Sequence, residues 1–335
     1  MDSHRFWNMT ETTSAVSSIA QSSRGQLLRP RHSRHPPTRH SWSRARVQCA
    51  SSIRCTMNNS VALETGSSIG TVTPVRPPQS GRSSLRPIPA VIRHGPASPG
   101  RSLRGWGDSG KPPSTADHEP YSMRSIARDQ VEVMRSLGHE RFRLVGHDRG
   151  ARCAYRLALD EPDVVTRLAV MDVVPIGDVY DRADRTFSLS YWVWSFLAAP
   201  APVPERFIAA APTVLVDFML DTWPEVKDAF PPEVRAAYVK QFSDPATVHA
   251  ICEEFRAAAT LDYQQDEADR GNRRITCPVL FLWSRHGQVA KLYDDPLAIW
   301  REWADDVRGE PVPVGHFIPE EAPDETSRQL LAFLS

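Results

Sequence analysis

The pentapeptide at 146–150, GHDRG, constrains the fold more than any other feature of this chain. It stands between the apolar run 142–145 and a stretch with helical spacing at 151–159. Where a buried strand runs directly into a helix, only glycine-sized neighbours let the two elements approach closely, and the residue between them is forced into a sharp turn. The pattern therefore predicts a nucleophile elbow with Asp148 at its tip.

An aspartate at this tip predicts a different reaction from the one expected of a serine. The amino end of a helix favours the ionised carboxylate, because its backbone N–H groups and dipole attract negative charge. A carboxylate can attack a saturated carbon or an epoxide, and it then leaves an ester that water must hydrolyse. Asp148 is therefore a candidate catalytic nucleophile.

Strand-like and helix-like segments alternate on both sides of the elbow. A helix is expected to begin after Ser122, which can cap it, and to end at Gly138. Strands are expected at 142–145, 167–174 and 278–283, with a short one at 311–316, and helices at 151–159, near 297–303 and near 324–334. This order predicts an α/β fold with a mostly parallel, doubly wound sheet.

Residues 178–265 differ from the segments around them. They are helical in pattern, broken by prolines and rich in aromatic residues. We interpret them as a helical cap inserted into a core formed by 101–177 and 266–335. The glycine-punctuated turn at 103–113 is of the kind that follows a central strand, yet no apolar strand is evident before it. The first strands of the sheet are therefore expected to be missing or replaced.

Residues 1–100 are rich in serine, arginine and proline and show no periodicity. The segment has no lysine and only three acids, Asp2, Glu11 and Glu64. Such a composition buries too little apolar surface to offset the entropy of ordering. Three interpretations stay open: a transit peptide, a basic tail for nucleic acid, or a product of a misplaced start or shifted reading frame. We favour the third.

The histidine expected to complete the site is His316, in a loop near the carboxy terminus. Its ordinary pKa of about 6.5 suits it to take a proton from water at neutral pH. Asp172, which follows the strand after the elbow helix, is the preferred carboxylate for orienting this imidazole. The alternative is Asp294, in the segment after the strand at 278–283. The order nucleophile, acid, histidine is that of the α/β-hydrolase arrangement.

Two arginines stand three residues apart at the start of the elbow helix. Arg149 and Arg152 can therefore both lie near Asp148. Two guanidinium groups beside a catalytic carboxylate suit a bidentate grip on an anionic substrate. Alternatively, one of them forms an ion pair with a core acid such as Asp129, or Arg152 points outward.

Composition narrows the setting in which the protein works. Five widely spaced cysteines form no C-x-x-C pair, and no run of eighteen apolar residues occurs. We expect a cytoplasmic protein that needs no membrane, no nucleic acid, no cofactor and no metal ion. Its expected partner is a small anionic substrate, and a homodimer is compatible with the sequence.

From residue 103 to the carboxy terminus, the chain resembles the haloacetate (fluoroacetate) dehalogenases of the α/β-hydrolase superfamily. The runs that carry the resemblance are RGWGDS at 104–109, GHDRGAR at 146–152, MDVVP at 171–175, APAPVPE at 199–205 and GHFIPEEAP at 315–323. The resemblance implies that Asp148 displaces halide from a 2-haloacid whose carboxylate is held by Arg149 and Arg152. It also implies that His316, with Asp172 behind it, activates the water that hydrolyses the ester.

The chain departs from that family in the cap. There, a histidine, a tryptophan and a tyrosine hold the leaving halide. Trp194 matches the tryptophan, whereas Val193 and Leu215 replace the other two in ungapped matching. Fluoride is a poor leaving group that needs hydrogen-bond donors. We therefore expect weak defluorination and better turnover of chloro- or bromoacetate.

Two further readings stay open. An epoxide hydrolase of the same fold would need paired cap tyrosines, for which Tyr191, Tyr238 and Tyr263 are available. An inactive product of a damaged gene would follow if the oxyanion-hole loop is absent. The run 93–96, RHGP, echoes the His-Gly motif of that loop, and we treat the echo as a coincidence.

Overall fold

The computed structural model describes residues 88–92 and 102–335, and for 88–92 it describes the backbone alone. The interpretations offered for the remainder of 1–100 therefore lie outside the described residues, as does the run 93–96.

Five strands form one sheet in the described part of the chain. They are β1 (Ile88–Ile92), β2 (Phe142–His147), β3 (Val165–Met171), β4 (Val279–Ser284) and β5 (Val307–Val312). Their spatial order follows the chain order, and every neighbouring pair is parallel. Parallel neighbours need crossover connections, and helices lie in each of them; the apolar residues of α1, α2 and α12 pack on one face of the sheet. The predicted α/β fold with a parallel sheet is confirmed.

After a short 3-10 helix, Glu119–Tyr121, fourteen α-helices accompany these strands in the described residues. They are α1 (Met123–Ser136), α2 (Arg149–Asp160), α3 (Ile176–Asp181), α4 (Arg185–Ser190), α5 (Val193–Leu197), α6 (Val203–Ala210), α7 (Pro212–Thr222), α8 (Pro232–Phe242), α9 (Pro245–Ala257), α10 (Tyr263–Asp269), α11 (Gln288–Leu292), α12 (Pro296–Trp303), α13 (Ile318–Glu321) and α14 (Pro323–Leu334). A π-helical turn at Ala258–Asp262 joins α9 to α10. Among them, no helix is both long and apolar enough to cross a membrane.

The expectation that no strand precedes the glycine turn is wrong. Strand β1 pairs with β2 in register from Ile88 opposite Phe142 to Ile92 opposite Gly146. Pro89 has no backbone N–H to donate to a neighbouring strand, so its presence argues against a central strand. Proline is tolerated in an edge strand, because one side of that strand has no neighbour to bond. β1 is the edge strand of the described sheet.

One further boundary agrees with expectation and one differs. Ser122 caps α1 as predicted, since its side chain accepts a hydrogen bond from the Ser125 N–H at 3.2 Å. The last strand, however, covers Val307–Val312 and not 311–316. It contains exposed and half-buried residues together with a glycine and a proline, so its sequence lacks the apolar run that marks the other strands.

The sheet separates two apolar layers, because alternate side chains of a strand point to opposite faces. Leu144, Leu168 and Phe281 are fully buried on the side that also holds the apolar residues of α1, α2 and α12. On the other side, residues such as Val145 and Leu282 pack with the apolar residues of α13 and α14. Helices α4 to α10 lie in the chain between β3 and β4, where the cap is expected. Its limits at 178 and 265 stay predictions.

Candidate active site

The elbow begins where β2 ends. Asp148 has φ 48° and ψ −121°, a conformation that side chains rarely adopt, and α2 starts at the next residue. A Cβ added to Gly146 would lie 2.5 Å from the Gly150 carbonyl oxygen and 2.6 Å from the Ala151 nitrogen. Glycine is therefore required at 146, and the sharp turn has the geometry that the sequence predicts.

Asp172 follows β3 directly and is bonded to the imidazole of His316. Its Oδ2 accepts a hydrogen bond from His316 Nδ1 at 2.6 Å. Its Oδ1 accepts from the backbone N–H of Ser284 at 2.8 Å and from the Ser284 hydroxyl at 2.6 Å. Asp294, the alternative partner, is exposed. The buried carboxylate of Asp172 thus has both oxygens engaged and fixes one edge of the ring.

The other edge of the ring faces the elbow. His316 Nε2 lies 3.6 Å from Asp148 Oδ2, so the imidazole stands between two carboxylates. Burial alone would lower the pKa of His316, but the nearby carboxylate of Asp148 and the hydrogen-bonded carboxylate of Asp172 raise it to about 10. While both carboxylates are ionised, they therefore favour the protonated imidazole.

The loop that carries His316 is held from both sides through its backbone. His147 Nε2 donates a hydrogen bond to the His316 carbonyl at 2.8 Å, and the His316 N–H donates to the Trp223 carbonyl at 3.0 Å. Burial, then the nearby charge of His316, lowers the pKa of His147 and keeps it neutral. Sequence reasoning missed His147, although it lies within the elbow motif.

Arg149 is buried, and its guanidinium is only partly used by the protein. Its Nε donates a hydrogen bond to Glu254 Oε1 at 2.5 Å, and its Cζ lies 4.3 Å from the centre of the Phe255 ring. Its Nη1 and Nη2 have no hydrogen-bond partner among the described residues. The acid that pairs with Arg149 is Glu254, not Asp129, which binds Arg104.

Arg152 is also buried, so it points inward. Its Nη1 donates to the Val174 carbonyl at 3.0 Å, and its Cζ lies 4.2 Å from the centre of the Trp194 ring. The Nε atom has no hydrogen-bond partner in the part of the chain that the structure describes. Unused donors on two neighbouring buried guanidinium groups can bind an anion.

Aromatic rings surround Trp194 on the cap side. The Phe255 ring lies 5.4 Å away edge-on, and the rings of Tyr180 and Tyr191 lie at 5.6 and 6.0 Å. Sequence reasoning missed two of these rings, Tyr180 on α3 and Phe255 on α9. Val193 is buried and offers no side-chain donor. Leu215, the residue expected in the tyrosine place, is likewise buried and apolar.

The three candidate cap tyrosines lie in different surroundings. The Tyr263 hydroxyl is exposed and donates to Asp181 at 2.8 Å. Burial, followed by the charge of Asp148, raises the pKa of Tyr191. Burial, then the charges of Glu320 and Asp148, raises the pKa of Tyr238. The negative charge of Asp148 therefore helps to keep the hydroxyl groups of Tyr191 and Tyr238 protonated.

Comparison with known proteins relates most of the described chain to one fold family. Residues 102–323 match the alpha/beta hydrolase fold family. A fluoroacetate dehalogenase of Burkholderia sp is 42% identical over 70% of this chain and 76% of its own length. A soluble epoxide hydrolase of Corynebacterium sp. (strain C12) is 27% identical over 70% of this chain and 79% of its own. A solved structure from Nostoc sp PCC 7120, assigned to the alpha/beta hydrolases, has 48% identity and a TM-score of 0.68, and the match covers 70% of this chain and 80% of that one.

Proposed function

This chain belongs to the alpha/beta hydrolase fold family, and we propose that it hydrolyses the carbon–halogen bond of small 2-haloacids, with Asp148 as the nucleophile. The observation that carries the proposal is the surroundings of this carboxylate. It lies 3.6 Å from His316, and the next turn of chain brings two buried arginines with unused N–H groups. A nucleophile, a base and an anion-binding pair are thus gathered at one elbow.

In the first step the arginines hold the substrate and Asp148 reacts with it. Arg149 and Arg152 bind the substrate carboxylate, which places its C2 atom near the Asp148 oxygen. That oxygen attacks C2, a C–O bond forms, and the halide leaves with the electron pair of the carbon–halogen bond. The product of this step is an ester between Asp148 and the acid.

In the second step water hydrolyses the ester. Esterification removes the negative charge of Asp148, so one of the two groups that raise the pKa of His316 is lost. The imidazole can then release its proton and accept one from water, while Asp172 holds the ring. Hydroxide adds to the carboxyl carbon of Asp148, and the bond from that carbon to the ester oxygen of the acid then breaks. The leaving oxygen takes a proton from the imidazolium, so the 2-hydroxyacid departs, and Asp148 loses its remaining proton to solvent and carries an oxygen from water.

The leaving group that fits best is chloride or bromide. Val193, the chain neighbour of Trp194, and Phe255, whose ring packs against Trp194, have no side-chain donor for fluoride. Heavier halides are better leaving groups and need less help from hydrogen bonds. We therefore propose chloro- and bromoacetate as preferred substrates, with fluoroacetate turned over slowly.

An epoxide hydrolase is the second candidate function. It is favoured by Tyr191 and Tyr238, whose buried hydroxyl groups sense the charge of Asp148 and could donate protons to an opening ring. A neutral epoxide, however, would leave the arginine N–H groups without an acceptor, which is costly for buried donors. In the dehalogenase reaction, by contrast, the substrate carboxylate accepts hydrogen bonds from these N–H groups.

The reaction fits a reducing cytoplasm. The three cysteines of the described residues, Cys153, Cys252 and Cys277, are free and buried. Nothing in the proposed chemistry needs an oxidising compartment.

Halide release separates the two candidates. The purified protein should release bromide from bromoacetate and chloride from chloroacetate, measured by ion chromatography, and Asp148→Asn should abolish both. Styrene oxide, assayed under the same conditions for diol formation, should react far more slowly. Turnover of the epoxide with no halide release from either acid would overturn the dehalogenase proposal in favour of the epoxide hydrolase.

A further inference from the structure

We propose that Glu254 is a positioning residue for substrate binding: with Trp106, it fixes the guanidinium of Arg149 so that both Nη atoms stay available for the substrate carboxylate. This inference rests on the proposed function and deepens it. It also assigns a role to the RGWGDS turn at 104–109, which the proposed chemistry leaves unexplained.

The carboxylate of Glu254 has one partner on each oxygen. Oε1 accepts from Arg149 Nε at 2.5 Å, and Oε2 accepts from the Trp106 indole N–H at 3.1 Å. Glu254 comes from α9, Trp106 from the glycine turn and Arg149 from the elbow helix. Both charged side chains of the ion pair are only 2% exposed. The carboxylate therefore cannot turn without breaking a buried hydrogen bond.

This contact determines which edge of Arg149 is left. The Nε is used by Glu254, and the Phe255 ring lies against the guanidinium at 4.3 Å. Nη1 and Nη2 are buried and have no hydrogen-bond partner within the described residues. Buried donors without partners are costly, and two adjacent N–H groups of one guanidinium match the two oxygens of a carboxylate. Glu254 thus fixes the orientation of the two Nη atoms of Arg149 that are proposed to bind the substrate carboxylate.

The glycine turn is shaped to bring Trp106 to this place. Gly105 has φ +87°, and an added Cβ would lie 2.9 Å from the Ala250 Cβ on α9. Gly107 has φ +53°, and its N–H donates to Gln241 Oε1 on α8 at 2.9 Å. Both glycines adopt the left-handed region that glycine tolerates. The turn therefore packs directly under the cap helix that supplies Glu254.

Three variants test the inference. Trp106→Phe keeps an aromatic ring but removes the N–H that anchors Glu254. Glu254→Asp keeps the charge but shortens the side chain, so it cannot reach both partners. Trp192→Phe is the matched control, because it removes an indole N–H from a ring that packs elsewhere in the cap, against Phe196 and Phe218. All three are first checked for a cooperative thermal transition.

The first measurement needs no substrate. In protein with ¹⁵N-labelled arginine, the buried Nε–H of Arg149 should give a slowly exchanging signal, identified by its loss in Arg149→Lys. Its exchange with water should become faster by about tenfold or more in Trp106→Phe and Glu254→Asp, because the hydrogen bond opens more often. The signal should be unchanged in Trp192→Phe. Equal protection in all four proteins would overturn the inference.

The second measurement uses charge to separate positioning from general packing. The KM for bromoacetate should rise by about tenfold in the two test variants while kcat changes little, since a hydrogen bond to a charged group is lost. Turnover of the neutral analogue bromoacetamide should be unaffected. Equal losses for the acid and the amide would show a merely structural role and overturn the inference.

The failure of the proposed function would look different. Suppose that the wild-type protein shows a protected Arg149 signal, that this signal does not shift on addition of acetate, and that the protein releases no bromide. This result would overturn the dehalogenase proposal and the part of this inference that concerns the substrate. The loss of protection in the variants would still support the fixing of Arg149 by Glu254.

Discussion

The core side and the cap side of the candidate active site differ in the contacts that hold their side chains. On the core side, Asp172 and His316 are joined by a 2.6 Å hydrogen bond, and the backbone of His316 is bonded to His147 and Trp223. On the cap side, aromatic rings pack edge-on around Trp194. Directional bonds fix atoms to within tenths of an ångström, whereas ring packing mainly fixes shape.

This difference suggests that the core side determines the kind of reaction and that the cap side determines the choice of leaving group. The kind of reaction depends on a few atoms whose positions must be exact, and these come from the ends of strands and the turn after β2. Under the proposed function, we expect the choice of leaving group to depend on the size and polarity of the side chains around Trp194. Changes on the core side should therefore alter rates and intermediates, and changes on the cap side should alter which halide is released.

The largest effect is expected from His316→Ala. Without the base, the ester on Asp148 should form but persist, and turnover should fall by about 10²–10⁴-fold. Mass spectrometry of the variant after exposure to bromoacetate should show a carboxymethyl adduct on the peptide that contains Asp148. The double variant with Asp148→Asn should take up no adduct there. A folded His316→Ala protein that turns over normally would refute the assigned role.

A smaller effect is expected on the cap side. Val193→His places a donor beside Trp194, and it should raise fluoride release from fluoroacetate by about 10²-fold, the effect typical of one well-placed donor. Bromide release from bromoacetate, measured in parallel, should change far less because bromide needs little help. If both rates rose equally, the cap would not be selecting the leaving group.

The tight packing of the elbow predicts a stability effect on the core side. Gly146→Ala would drive a methyl group into the backbone of Gly150 and Ala151, and it should cost about 1–3 kcal/mol in the free energy of unfolding. Gly110→Ala is the control, since nothing lies within 4 Å of its added Cβ. Urea titration of the two variants should separate them clearly. Equal stabilities would contradict the close approach of β2 and α2.

The most delicate test concerns the charge of Asp148. Because Asp148 and Asp172 raise the pKa of His316 to about 10, the protonated imidazole stabilises the folded state fully below its ordinary pKa. That contribution is lost as the pH rises through about 10. Asp148→Asn removes one of the two charges, so the imidazole should titrate at lower pH, as followed by NMR of the His316 ring. An unchanged titration would mean that the elbow carboxylate does not face His316.

The local parts of this picture could be predicted from the sequence. The glycines around Asp148, the apolar strand before it and the capped helix before that strand each leave a short-range pattern. The contact between Asp172 and His316 can be expected from chain order and spacing. The orientation of Arg149 could not be inferred, because its partner Glu254 lies 105 positions away on a helix with no local sign of the contact.

The sequence also did not reveal the strands whose apolar pattern is interrupted. β1 contains Pro89, and β5 alternates exposed and half-buried residues, so neither resembles the continuous apolar runs of β2 and β3. Phe255 was missed for a related reason. An aromatic residue on an amphipathic helix looks the same in sequence whether it fills the core or lines a site.

The backbone of Asp148 has a consequence for how this protein can evolve. At φ 48° and ψ −121° a glycine would be comfortable, whereas an aspartate is strained there by about 1–3 kcal/mol. The replacement Asp148→Gly would relieve that backbone strain, but it would also remove a charge that stabilises the protonated His316 and the carboxylate proposed as the nucleophile. The strain at this position is thus a cost that selection for turnover, and not backbone preference, would maintain.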